Sequence, residues 1–304
     1  MATWREAGLA GCARKVRAAV WMGLPVLVAG RRTAQSVGAY FDLITDEGRL
    51  FYGDSFHLGY FPHGSGPLEE ALDAHTDLVA DYACLTGAQT VLDVGCGLAA
   101  PALRIARRFG CSVTGVNISR EQVRQGRELI AARGLSGTVD IRRGDARALD
   151  FPDDSFDAII CLEAAGDICV ADADKDRLVG ELRRVLKPGG HVGFSDLALR
   201  TRPSAADDRA LRAVLYHSGG ELVTDWPAIF TRTGFRVVQS RDIIAETLPT
   251  WDHSLAVMDR LDGEAIRRYG RRLASRTAAR LGRIRTILAT HGTFPVISAL
   301  KALT

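Results

Sequence analysis

Asp93 stands two residues ahead of a Gly95-Cys96-Gly97 turn that follows the apolar pair Val91-Leu92 and opens into a stretch of helical period. Glycines at such a turn let the chain reverse sharply and bring its backbone close to a ligand. The carboxylate just before them is placed to reach the amine of an amino-acid-like ligand. A dinucleotide-binding unit opens with a similar turn, so the turn alone assigns nothing. Two further stretches narrow the reading: Gly144-Asp145-Ala146 follows a third apolar run, and Phe151-Pro152-Asp153-Asp154-Ser155-Phe156-Asp157 leads into a fourth. The full G-x-G-x-x-G fingerprint and the acidic ribose residue are both missing, which disfavours a nicotinamide-dependent oxidoreductase.

These acids need elements to carry them. From Thr90 to Leu197 short apolar, β-branched runs alternate with longer stretches of helical period, the pattern of βαβ units and a parallel sheet. It predicts strands over 90–95, 112–116, 139–143, 156–162 and 191–197. Helices are predicted over 99–109, 119–133 and 174–187, the last closed by Lys187-Pro188-Gly189-Gly190. The flanks, about 1–80 and 200–304, read as mostly helical and should cover the carboxyl edge of the sheet, where open α/β sheets bind ligands. With 304 residues, 47% of them apolar and 25% charged, the chain has a globular composition that excludes a disordered, collagen-like or many-span membrane protein. Its six cysteines (Cys12, Cys84, Cys96, Cys111, Cys161, Cys169) show no pairing rhythm and no C-x-x-C. They read as free thiols in a reducing, cytoplasmic compartment, with no disulfide frame and no zinc site expected.

As a set, VLDVGCG (91–97), GDARALDFPDDSFDAIICLEA (144–164) and LRRVLKPGGHVGFSDL (182–197) resemble the successive motifs of class I S-adenosylmethionine-dependent methyltransferases. The resemblance covers about residues 80–200. It implies an α/β fold: a doubly wound, mostly parallel seven-stranded sheet with a mainly helical cap from both terminal regions. The chain then divides into a lid or cap over 1–80, an S-adenosylmethionine-binding core over 81–200, and further strands, a cap insertion and a basic helical region over 201–304. Carried over by position, Asp93, Gly95 and Gly97 hold the methionine part of the cofactor. Asp145 bonds the adenine amino group and Ala146 offers its backbone N–H to the ring. Two departures stand out. The third glycine of the family turn is Ala99, which a helix start should tolerate. The ribose-binding acid is replaced by Asn117, followed by Ile118 and by Gln122 on the next helix. An amide still bonds a hydroxyl, without a carboxylate's charge assistance, and a capping role for Asn117 on that helix is the compatible structural reading. This form looks like the subgroup of sterol, tocopherol, terpenoid and polyketide methyltransferases.

The same subgroup carries an aromatic H-x-G-Y stretch ahead of the cofactor fold, matched here by Phe51-Tyr52-Gly53-Asp54-Ser55-Phe56-His57-Leu58-Gly59-Tyr60-Phe61. The resemblance makes it a cover for the cofactor and one wall of the substrate pocket. Tyr52 is then a cofactor contact and His57 a catalytic candidate, with plain lid packing as the other reading. After the fourth strand, Leu162-Glu163-Ala164-Ala165-Gly166-Asp167-Ile168 occupies the motif that meets both methionine and substrate. Leu162 is assigned there to the cofactor. Many relatives have a histidine near Asp167 and this chain has none, so Glu163 and Asp167 become the general-base candidates, with an orienting hydrogen bond the alternative for Glu163. His63, His75, His191, His217, His253 and His291 are isolated, with no metal-ligand spacing. Only His217, within Leu215-Tyr216-His217-Ser218, is kept as a substrate-side candidate.

Transfer from a sulfonium is an in-line displacement in which the protein positions the acceptor, excludes water and removes a proton where one must leave. The subgroup points to carbon methylation of a terpenoid-like acceptor, with Tyr52, Tyr60, Phe61, Trp226 and Trp251 as pocket walls. Transfer to oxygen or nitrogen of a polyketide-like metabolite is the alternative, and a cofactor-binding cyclase or subunit that does not methylate is the alternative of another class. The net charge of +3 hides an asymmetry: residues 260–304 carry ten basic and two acidic side chains, leaving −5 on the first 259. The recurring arginines (Arg267, Arg268, Arg271, Arg272, Arg276, Arg280, Arg283, Arg285) read first as a solvated helix face. Peripheral contact with an anionic membrane, a diphosphate site and a subunit contact in a homo-oligomer are the other readings. Nucleic acid is not expected, because no aromatics interleave with them. Residues 14–30 set Arg14, Lys15 and Arg17 before an apolar run and read as a packed helix or lid rather than a secretory signal. Only four of the 39 basic residues are lysine, a bias that suits a GC-rich bacterial genome.

Overall fold

Five apolar, β-branched runs become the parallel half of one sheet: β1 (Thr90–Val94), β2 (Ser112–Asn117), β3 (Val139–Arg143), β4 (Phe156–Leu162) and β5 (Leu186–Ser195). The computed structural model describes residues 33–214, 222–260 and 271–303. The apolar stretch at 14–30, His217 with its neighbours, Arg267 and Arg268, and the side chains of Arg271, Arg272 and Arg276 lie outside the described residues. Two more strands, β7 (Arg236–Asp242) and β9 (Pro295–Leu300), complete a seven-stranded sheet in the order β3-β2-β1-β4-β5-β9-β7. β9 runs antiparallel to both of its neighbours. A two-stranded ribbon pairs β6 (Ala198–Leu199) with β8 (Gly292–Thr293).

Both faces of the sheet's central strands β1, β4 and β5 are buried, as parallel sheets require, while the edge strand β7 is largely exposed. On β1 the side chain of Val91 enters one core, with Val79, Ile105 and Ile160, while Leu92 and Val94 enter the other, with Leu178, Leu182 and Phe230. Helices α1 (Ala34–Tyr52), α2 (Leu68–Tyr82), α3 (Ala100–Phe109) and α4 (Arg120–Ala132) precede or cross between the first strands. A single turn α5 (Ala165–Ile168) and α6 (Asp172–Val185) link β4 to β5. The later elements are α7 (Ala205–Val214), α8 (Trp226–Arg232), α9 (Ile244–Thr247), α10 (Pro249–Arg260) and α11 (Arg271–His291). Among the described residues no helix is long and apolar enough to cross a membrane.

The strands and helices expected between 90 and 197 are present, with two differences. Helix α6 stops at Val185, not 187, because Pro188 lacks an N–H and biases its predecessor away from helix. Leu186 already pairs with Phe156, and the Pro-Gly-Gly stretch makes the irregular start of β5. The region after 200, mostly helical by pattern, supplies β7 and β9, where the resemblance implied further strands. The run Phe294-Pro295-Val296-Ile297-Ser298-Ala299-Leu300 carried that signal in its β-branched residues. At the glycine turn, Ala99 has φ +68°, a left-handed conformation that costs alanine about 1 kcal/mol, so the family's third glycine has a backbone reason that Ala99 meets under strain.

Gly193 on β5 is a close-approach position: a Cβ built there would lie 2.1 Å from the Val79 carbonyl oxygen, which places α2 directly on the strand. We expect Gly193→Ala to lower unfolding free energy by about 1–3 kcal/mol through overpacking, measured by urea denaturation. An unchanged midpoint would show that α2 can lift off the strand without cost.

Candidate active site

The strand order reverses between β1, which leads on to β2 and β3, and β4, which lies on its other side. Open sheets bind ligands where such neighbouring loops part. A cleft opens there. Gly95, Gly97, Asn117, Ile118, Gln122, Asp145, Ala146, Leu162, Glu163 and Asp167 all line it. Gly95 and Gly97 have φ of +76° and +53°, and the N–H groups of Gly95 and Cys96 both donate to the Val116 carbonyl, folding the turn against β2. A Cβ on Gly95 would stand 2.2 Å from that of Ala164, whereas a Cβ on Gly97 meets nothing within 4 Å. Glycine at 95 is therefore demanded by the protein's own packing, and the space beside Gly97 is left for a ligand.

Helix α1 covers the cleft with Ala34, Val37 and Phe41. It is held down by polar contacts to the start of α4: the Asp42 carboxylate accepts from the Ser119 hydroxyl at 2.6 Å and from the Glu121 N–H at 2.9 Å. A carboxylate at a helix N-terminus is favourably placed in the helix dipole. Gln125 bonds Asp46 and Arg49 further along the same pair of helices.

Around the cleft the acids divide by environment. Asp93 is 2% exposed, its Oδ2 has no hydrogen-bond partner, and burial pushes its pKa up to about 7. An orphaned buried carboxylate oxygen is costly and becomes favourable when an ammonium group is set against it. This fits the methionine end of the expected cofactor. Burial also raises Asp145, but the hydrogen bonds and charge of Arg147 outweigh it and hold the carboxyl below its ordinary range. Arg147 grips both oxygens of Asp145, at 3.0 and 2.8 Å, and reaches Asp174 at 3.0 Å with its other arm. Asn117 donates to the Gly97 carbonyl at 3.1 Å and to Gln122 Oε1 at 2.8 Å, and accepts from the Ser119 N–H. It thus braces the glycine turn while lining the cleft, and the buried Nε2 of Gln122 has no acceptor.

Glu163 follows β4 at φ +50° and accepts a hydrogen bond from the Leu58 N–H. Burial pushes its pKa well above the carboxylate range, opposed by the Leu58 N–H and reinforced by Asp196 and Asp167. Asp196, buried after β5, is itself raised to about 7 by burial and accepts from the Gly166 N–H. Asp93, Tyr52 and His57 are not among the cleft-lining residues, Asp93 lying behind the glycine turn on β1. Tyr52, at the end of α1, faces a second, more open depression beside α3 with Arg104 and Arg107. Its hydroxyl is raised to about 12 by burial and engages Ser254, with Glu163 near enough to be felt. His57 is buried beneath the chain, and its Nδ1 is spent on the Leu58 carbonyl. The expected aromatic walls are also elsewhere. Trp226 packs on Phe194, Phe61 stacks on His253, Trp251 is buried in the core, and Arg241 lies over Tyr60. Phe41 and Phe56 are the aromatic rings of the cleft. Phe56 belongs to the aromatic stretch expected as a wall, whereas sequence reasoning missed Phe41, together with Arg147, His75 and Ser254. Only Arg147, two residues after the motif acid, left a local sign.

A family profile described as a methyltransferase domain matches residues 91–190. Methyltransferase GfsG of Streptomyces halstedii is 31% identical over 234 residues, 74% of this chain and 82% of that protein. A sterol 24-C-methyltransferase of Eremothecium gossypii is 36% identical over 156 residues, 51% of this chain but 40% of that enzyme. Among solved structures, the cyclase SpnF superposes with a TM-score of 0.76 at 28% identity, covering 90% of this chain and 98% of SpnF.

Because Asp93 titrates near 7 in the free protein, a bound ammonium group requires it to lose its proton. Affinity for S-adenosylmethionine should therefore rise with pH, by about fivefold between pH 6 and 7 in calorimetric titrations. Asp93→Asn should bind weakly with no such slope. A flat wild-type profile would remove Asp93 from the cofactor site.

Proposed function

The chain belongs to the S-adenosylmethionine-dependent methyltransferases, and from that premise we propose that it methylates a small, largely apolar natural-product acceptor with Glu163 as proton acceptor. The observation that carries this reading is the placement of Glu163: a carboxylate on the cleft wall, beside the glycine turn and α5, in surroundings that raise its proton affinity.

The cofactor residues have separable tasks. Asp93 and the backbone at Gly95 and Gly97 would hold the methionine part, Asn117 and Gln122 the ribose, and Asp145 with the Ala146 N–H the adenine. When bound, the cofactor supplies a methyl group on a sulfonium, open to in-line displacement. The chain's own residues do the rest. Helix α1 and Phe41 exclude water from above, and Ile168 and Phe56 present apolar surface to the acceptor. Glu163, once ionised, is a stronger base than an exposed carboxylate, because the low dielectric that raises its pKa favours taking up a proton.

Carbon methylation suits this equipment. When one carbon of an alkene accepts a methyl group its neighbour becomes a carbocation, which is stabilised by aromatic faces and relieved when a carboxylate takes a proton from an adjacent carbon. The cleft offers Phe41, Phe56 and Glu163 for those two tasks, and the similarity to a sterol 24-C-methyltransferase supports it. A second reading, cofactor-assisted cyclisation without methyl transfer, is favoured by the end-to-end likeness to SpnF.

Glu163→Gln should bind S-adenosylmethionine within about twofold of wild type and lose turnover by about 10²-fold or more, measured as S-adenosylhomocysteine formed with an accepted acceptor. Full turnover in that variant would place the base elsewhere. Tight cofactor binding with no S-adenosylhomocysteine from alkene, hydroxyl or amine acceptors would favour the cyclisation reading.

A further inference from the structure

The loop between α1 and α2 holds an arrangement that the cofactor assignments leave unexplained. The Leu58 carbonyl oxygen accepts from Nδ1 of His57 at 3.0 Å and from Nδ1 of His75 at 2.7 Å, while the Leu58 N–H donates to the Glu163 carboxylate. A carbonyl can only accept, so each ring carries its proton on Nδ1. Burial holds both rings neutral, with pKa values lowered to about 4 for His57 and about 3 for His75. The two rings meet edge to face with centroids 5.5 Å apart, and Phe294 closes on His75 from 5.3 Å. On the other side of the carbonyl, the Gly59 N–H donates to the Thr250 hydroxyl at 2.9 Å. The backbone of residue 58 is therefore fixed at three successive points by groups from the loop, α2, α10 and the end of β4.

A turn that needed only a satisfied carbonyl would not require two buried imidazoles. His75, at 0% exposure, leaves its Nε2 without a partner, a cost borne by the fold for the contact its Nδ1 makes. The three side chains His57, His75 and Glu163 bring polar atoms within 4.8 Å of one another, and each of them bonds Leu58, while His57 Nε2 also lies 3.5 Å from the Thr76 hydroxyl.

We propose that His57 and His75 are positioning residues that act through the backbone of Leu58 to set its N–H on the Glu163 carboxylate. This rests on the reading of Glu163 as the base. Neither ring takes a proton from the acceptor. They determine instead how firmly the ionised carboxylate is held at the cleft wall. The other groups facing Glu163 are Asp196 after β5, Asp167 on α5 and the Tyr52 hydroxyl on α1. The two acids oppose its ionisation, which leaves the Leu58 N–H as the contact that favours it.

The test is an infrared pH titration of the whole protein without acceptor, with the protonated carboxyl band of Glu163 identified by its loss in Glu163→Gln. A donor withdrawn from a carboxylate favours its protonated form, so His75→Leu should move the midpoint up by about one pH unit, a tenfold change in the ionisation constant. His75→Asn, whose amide nitrogen stands where Nδ1 stands, should restore the wild-type midpoint. Unchanged S-adenosylmethionine affinity shows that each variant is folded. Should His75→Leu fail to fold, His57→Leu carries the same expectation. Midpoints that stay at the wild-type value, together with an inactive Glu163→Gln, overturn the positioning role alone. A fully active Glu163→Gln overturns the base reading and the proposal with it.

Discussion

Three carboxyl groups at the ends of three adjacent strands set the terms for the rest of the molecule: Asp93 on β1 and Asp196 after β5, both buried, and the half-buried Glu163 after β4. Burial raises the proton affinity of each, and for Glu163 the neighbouring acids add to the effect. A set of anions out of water is unfavourable unless donors or cations meet it. The protein supplies donors to two of them, the Leu58 N–H to Glu163 and the Gly166 N–H to Asp196, and leaves Asp93 with an unmet oxygen. A cofactor bearing both a sulfonium and an ammonium group is the complement to such a site.

The same logic separates the two ends of the cleft. At the adenine end Asp145 is kept ionised by Arg147, which is itself tied to Asp174 on α6. At the methyl end no cation accompanies Glu163 among the groups that shift its pKa, and its proton affinity stays high. In the proposed reading one carboxylate is a permanent acceptor of hydrogen bonds and the other a group that takes and gives a proton. The difference comes from Arg147 and Arg177 beside Asp145 on the one hand, and from desolvation with Asp196 and Asp167 around Glu163 on the other.

What was legible in the sequence was what depends on local pattern. The strands of the core show as β-branched runs, and the cleft-lining Gly97, Asn117 and Asp145 follow those runs at fixed offsets. What depends on contacts between distant segments was not legible. His75 has no partner within reach along the chain, and only the crossing of α2 over β5 brings it beside His57. The aromatic stretch at 51–61 suggested a wall of rings, yet Phe61 and Tyr60 are turned to other partners because the backbone from 59 to 61 is bonded to Thr250, Ala71 and Glu246. The latch between Asp42 and the first turn of α4 joins two polar residues whose types announce nothing.

The position of β9 bears on how this chain acquires its shape. β9 is the last strand of the sheet to be synthesised, yet it lies inside the sheet, between β5 and β7. During translation β7 has no strand to pair with until residues 295–300 emerge, and β5 presents an open edge for as long. The five parallel strands must hold together first, and the enzyme must tolerate an exposed, apolar sheet margin for the time a ribosome takes to add roughly a hundred residues. That interval, about 5–20 seconds at ordinary elongation rates, is when the nascent protein is most open to aggregation and most in need of a chaperone.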